Sequence, residues 1–155
     1  MHSTGRARDG LISAVDDAAG GVWYFQAPAK YLGDARGTYG RALSFDLETN
    51  AVSQPFESFD IVLRGADLVL GFDASPTPSA NVWNEYSIQL DESAGWRVAT
   101  EVSEETFAKF ASLPAATRAQ LQAVLGELTQ LLIRGEFQNG PDTGNLDNVK
   151  FGARQ

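Results

Sequence analysis

The segment from Glu136 to Asn148 is the best place in this chain to look for chemistry. It offers Glu136, Asn139, Asp142, Asn145, Asp147 and Asn148, with Gly140 and Gly144 between them to let backbone carbonyls turn inward. Calcium takes six to eight oxygens from carboxylates, amides and carbonyls, and these residue types supply them. The spacing Asp142-x-Gly144-x-x-Asp147 is not the helix–loop–helix calcium signature, so the fit is one of residue type and not of motif. The competing reading is that these side chains cap turns, as Asp and Asn commonly do. Asp147, just ahead of Asn148-Val149, can equally accept hydrogen bonds from neighbouring backbone.

Aromatic side chains are the second resource. Trp23, Tyr24, Tyr31, Tyr39, Trp83, Tyr86 and Trp96 could provide a stacking platform for a sugar. Aromatics that alternate within strands are more often core. Trp23 and Phe25 share one strand face and are expected inside, with Tyr24 on the opposite face. Tyr31, Trp83 and Trp96 are the residues that would carry a glycan site, and their exposure decides it. Catalysis has little support. There is no Gly-x-Ser-x-Gly elbow, Walker loop or His-Glu-x-x-His. A glycosidase needs only two suitably spaced carboxyls, and among 20 acidic residues some pair meets that by chance. Arg134, inside an apolar run, is expected to pair with Glu136 or with an interior acid.

Composition bounds the partners. At 155 residues the chain suits one domain, and 43 % apolar residues suffice for a core. A formal charge of −8 opposes nucleic acid and an anionic membrane surface. No apolar run approaches the ~20 residues of a membrane-spanning helix. With no cysteine there are no disulfides, no thiolate chemistry and no cysteine-based zinc site. That leaves the compartment open, because an extracellular bacterial-type module need not carry disulfides. The single histidine, His2, makes a histidine-based site very poorly founded.

The elements that must position these residues are short strands. Leu11–Val15, Gly21–Ala27, Ala42–Leu47, Trp83–Leu90, Trp96–Val98 and Leu146–Phe151 are predicted as strands, several with period-two alternation. Phe59–Gly65 and Ala66–Phe72 predict a hairpin turning at Gly65-Ala66-Asp67. Leu128–Phe137 reads as a strand apolar on both faces over Leu131-Leu132-Ile133. Around 103–127 the pattern becomes helical. Ser103 caps a short helix that Pro114 interrupts, and Thr117 with Gln120 forms a capping box ahead of Leu121, Val124, Leu125 and Leu128. Many short strands with one helical insertion predict an all-β jelly-roll sandwich.

Two signatures bracket the chain. Trp23-Tyr24-Phe25-Gln26-Ala27-Pro28-Ala29-Lys30-Tyr31-Leu32-Gly33-Asp34 is followed by Thr38-Tyr39-Gly40-Arg41-Ala42-Leu43. Near the end stand Ile133-Arg134-Gly135-Glu136-Phe137 and Leu146-Asp147-Asn148-Val149. This ordered set resembles the laminin IV type A, or laminin B, domain over roughly Gly10 to Phe151. The resemblance implies a galactose-binding-like β-sandwich and an extracellular or cell-surface setting. It also implies a noncatalytic structural or adhesive role toward a protein or glycan partner.

The resemblance gives the calcium idea a shape as well. Galactose-binding-like sandwiches often hold a structural calcium between an early loop and the final strand. Here that would join Asp16 or Asp17 to the Asp142–Asp147 end. The runner-up reading is a calcium-dependent carbohydrate-binding module; a glycoside hydrolase comes third. Two departures from the family stand out. Residues 1–9 lack the opening strand that family members carry, and are expected to be disordered or appended to a module spanning 10–155. An edge strand left unpaired would then invite a homodimer. The helical stretch from Ala99 to Ala116 is also longer than the family needs.

Overall fold

The computed structural model describes residues 6–8, 10–17, 21–51 and 55–153. Two five-stranded antiparallel sheets face each other. One runs in the order β1 (Arg6–Arg8), β2 (Leu11–Asp16), β10 (Asp142–Ala153), β4 (Ala42–Thr49), β7 (Asn84–Gln89). The other runs β3 (Tyr24–Gln26), β9 (Leu128–Arg134), β5 (Ile61–Gly65), β6 (Leu68–Phe72), β8 (Arg97–Ala99). This is the expected all-β sandwich, and its core is the expected alternation. Leu43, Phe45 and Leu47 of β4 point inward and are buried, while Ser44, Asp46 and Glu48 lie on the wetter face. Phe45 stacks on Tyr86 of β7 with ring centroids 5.2 Å apart.

The predicted hairpin turns where expected. Ala66 and Asp67 both have positive φ, 50° and 58°, the pair of left-handed residues that a two-residue type I′ turn requires. Its strands pair Ile61 with Phe72 through Gly65 with Leu68.

Leu131-Leu132-Ile133 is apolar throughout because β9 is covered on both sides. Leu131 and Ile133 join the main core, whereas Leu132 joins a second cluster with Tyr24, Phe59 and Val62. The helical insertion supplies that second cover. Helix α1 (Glu104–Phe107) and a 3₁₀ turn at Phe110–Ser112 lay Phe107 and Phe110 edge-on against Phe59. Ser103 caps α1 by accepting from the Thr106 amide at 3.1 Å. The stretch from Ala99 to Ala116 therefore roofs the outer face of one sheet. Tyr24 does point away from Trp23 and Phe25, yet it is buried under this roof and donates to the Phe59 carbonyl at 2.8 Å.

Helix α2 (Arg118–Gly126) has the predicted reciprocal cap. The Gln120 amide donates to Thr117 Oγ1 at 3.2 Å, and Gln120 Oε1 accepts from the Thr117 amide at 3.0 Å. Its Leu121, Val124 and Leu125 enter the main core. It packs so tightly on β5 that a Cβ at Gly65 would lie 2.5 Å from the Glu127 carbonyl oxygen.

Most of the segment expected to be disordered or appended, residues 1–9, lies outside the described residues. Within it, Arg6–Arg8 pairs antiparallel with β2, so β2 has neighbours on both sides.

Candidate functional site

The acidic end is organised around Trp23. β10 pairs with β2 so that Asp142 lies opposite Asp16. Asp142 is 2 % exposed, and its two oxygens are both engaged. Oδ1 accepts from the Trp23 indole Nε1 at 3.2 Å, and Oδ2 accepts from the Phe137 amide at 3.0 Å. Glu136, also buried, accepts from the Trp23 amide at 3.1 Å. Burial pushes the Glu136 carboxyl up to about 7, and repulsion from Asp16 and Asp142 works in the same direction. Burial likewise raises Asp142. Two interior carboxyls, both raised by burial, thus hold one tryptophan by its ring and its backbone.

Of the four carboxylates expected at a calcium ion, Asp16 and Asp142 stand opposite each other, but Asp147 lies away from them. Asp142 and Asp147 are five residues apart on one strand, ~16 Å at about 3.3 Å per residue. Two ligands of one calcium ion lie within about 5 Å of each other, twice the ~2.5 Å bond. Asp147 instead accepts from the Asn148 amide at 2.7 Å, the backbone role open to it from sequence. Asp17 is exposed beyond the end of β2. Among the described residues no group of three or more acids or histidines is placed to hold a metal. Asp142 and Asp147 therefore cannot share one ion, and no third acid or histidine among the described residues completes a site with Asp16 and Asp142.

Arg134 finds the interior acid. Its Nη1 lies 3.2 Å from Asp60 Oδ1, and the guanidinium is sandwiched between the rings of Phe56 and Phe137 at 4.8 and 4.4 Å. Toward Glu136 it donates to the backbone carbonyl, not the carboxylate, at 2.6 Å. Its Nε, Nη1 and Nη2 all donate inside the protein, so it acts as a staple.

The three aromatics offered for a glycan separate. Trp96 is 1 % exposed, packs at a tilt against Phe72 and donates its Nε1–H to the Gln89 carbonyl at 2.9 Å, so it is core. Its burial follows from its position between β7 and β8, where it ties the two sheets together. Tyr31 and Trp83 are exposed, at 38 % and 44 %. Tyr31 follows β3 at one flank of the sandwich and Trp83 precedes β7 at the other. They share no face.

A cavity that the sequence did not announce opens between the sheets beside β3. It has a volume of about 660 Å³ and is walled by Ile12, Phe25, Ile133, Leu146, Val149 and Phe151 among others. Two backbone irregularities border it. First, β10 carries a β-bulge. Asp147 pairs with Asp46 and Lys150 with Ser44, so one extra residue is inserted, with Asn148 at φ 50°. The bulge shifts the inward phase from even to odd positions, turning Val149 and Phe151 into the sandwich after Leu146. Second, the chain after β3 leaves β9 at Ala27, coils through a 3₁₀ turn at Ala29–Tyr31 and rejoins it where Gly33 meets Leu128.

Residues 24–153 match the family described as laminin B (domain IV). The chain belongs to this family. Among curated relatives, laminin subunit gamma-2 of Equus caballus is 30 % identical over 134 residues, covering 81 % of this chain and 10 % of that protein. Human laminin subunit gamma-1 is also 30 % identical, covering 84 % and 7 %. The basement membrane proteoglycan of Caenorhabditis elegans is 27 % identical, covering 80 % and 3 %. This laminin B domain thus spans a tenth or less of those proteins. In three dimensions it is similar to the L4b domain of human laminin alpha-2, with a TM-score of 0.67 at 15 % identity, over 81 % of this chain and 67 % of that one. The family match begins at Tyr24, so the Trp23–Asp142 contact lies at its boundary.

Proposed function

We propose that this laminin B domain is a noncatalytic structural and adhesive module of an extracellular protein, presenting its surface to a protein or glycan partner. The observation that carries this reading is the family match over residues 24–153, with relatives that are laminin subunits and a basement membrane proteoglycan. The interior supports it. The buried carboxyls and the buried arginine are committed to internal hydrogen bonds, as a scaffold requires and a catalytic site does not. In this reading the Asp16–Asp142 end is held by the Trp23 hydrogen bonds, and calcium adds no stability. A glycan would be read by one exposed aromatic at a time, because Tyr31 and Trp83 lie on opposite flanks.

The test is binding of the immobilised chain to purified laminin and to a glycan array, beside turnover assays on chromogenic glycosides. Saturable binding without turnover supports the reading. Glycoside hydrolysis that is lost on substituting a buried carboxyl would overturn it.

A further inference from the structure

The cavity beside β3 has a composition that specifies an occupant. Its walls are apolar side chains from both sheets, and its volume of about 660 Å³ lies within the range of small-molecule sites. Among the described residues Lys30 is the only charged one that lines it, and it stands with Tyr31 on the exposed 3₁₀ turn. Its ammonium lies 4.9 Å from the Tyr31 ring centroid. Among the described residues no carboxylate forms an ion pair with Lys30. An apolar slot with a single cation and a phenol at its margin is complementary to a long alkyl chain ending in an anionic head.

The backbone at the rim argues against the other common occupant of a sheet edge, an added peptide strand. Strand addition needs a row of free amides. Pro28 has none. The Tyr31 and Leu32 amides are already spent on the Pro28 and Ala29 carbonyls, both at 3.0 Å, and the Ala27 amide on Leu131. What the rim offers is apolar surface and charge.

We propose that this cavity binds one free long-chain fatty acid, its chain between Phe25, Ile133, Val149 and Phe151 and its carboxylate at Lys30. The apolar walls offer water in the slot few hydrogen-bond partners, so an alkyl chain can displace it. The alkyl chain then gains by burial, and the head gains a charge-assisted contact at the surface.

The test uses the full chain, stripped of lipid and titrated with oleate below its aggregation concentration. Calorimetry and amide chemical shifts give the readouts. The expected result is saturable one-to-one binding, with shift changes concentrated in residues 25–32 and 146–151. Lys30 is exposed, so Lys30→Glu leaves the fold intact. It should weaken oleate at least tenfold while leaving uncharged oleyl alcohol within twofold. The proposal is overturned by failure to saturate, by binding of many oleates per chain, or by oleate affinity that Lys30→Glu does not change. It is equally overturned if a peptide or glycan, and not oleate, shifts the same amides.

Discussion

The Trp23 indole occupies the space into which a side chain at Gly135 would project. A Cβ built there runs into the ring, and the same ring stands 2.7 Å from a Cβ placed on Gly144. The tryptophan is thus clamped between two glycines, one just past β9 and one on β10, while Asp142 and Glu136 hold its two N–H groups. Strands of opposite sheets approach closely here because neither glycine has a side chain.

Gly135→Ala should therefore destabilise the fold sharply. Overpacking a filled core costs about 1–3 kcal/mol, and neither the ring nor the backbone has room to yield. A chemical-denaturation midpoint within error of the parent would refute the clamp.

Stability should fall as pH rises from about 4.5 to about 7. Glu136 has its carboxyl raised from 4.5 to about 7, so the folded state keeps a proton that the unfolded chain releases. The contribution is complete below 4.5 and has gone above 7. It amounts to something on the order of 3 kcal/mol, at 1.4 kcal/mol per pK unit. Asp142 is shifted in the same direction and adds to the slope. Glu136→Gln can still accept from the Trp23 amide and should flatten the melting profile between pH 4 and 8. An unchanged profile in that variant would show that the slope arises elsewhere.

Arg134 and Asp60 should behave as a coupled pair. Arg134→Met removes the cation from a nearly buried carboxylate and unpairs the carbonyls of Phe56 and Glu136. Breaking a buried pair costs about 3–5 kcal/mol. Combining it with Asp60→Asn removes the stranded charge, so the double variant should be less destabilised than the sum of the singles. Strict additivity in a double-mutant cycle would deny the coupling.

Calcium and chelator should both leave the melting temperature where it is. The carboxylates of the acidic end are separated along the strand or already hydrogen-bonded. Micromolar calcium binding by calorimetry, abolished by Asp142→Ala, would contradict this.

Much of the fold was legible because it rests on local rules. The capping box at Thr117 and Gln120, the turn at Ala66-Asp67 and the alternation of β4 each need only a few consecutive residues. The candidate site was less legible. Glu136, Asp142 and Trp23 were each noticed, but their meeting depends on contacts across more than a hundred residues. Trp96 is an aromatic that the sequence leaves open as a ligand surface. Only its packing against Phe72 and its bond to the Gln89 carbonyl show that it lies inside. The cavity left no local signal at all, since a β-bulge at Asn148 has the composition of any Asp-Asn turn.

By itself the sequence determined the family, the strand periodicity and the charge, all of which are properties of order and composition along the chain. The tertiary structure decided which acids meet, which aromatics face water and where the two sheets part. Those outcomes depend on strand register and on the register shifts within β10. A single-residue change of register reverses every side chain beyond it between the core and the solvent.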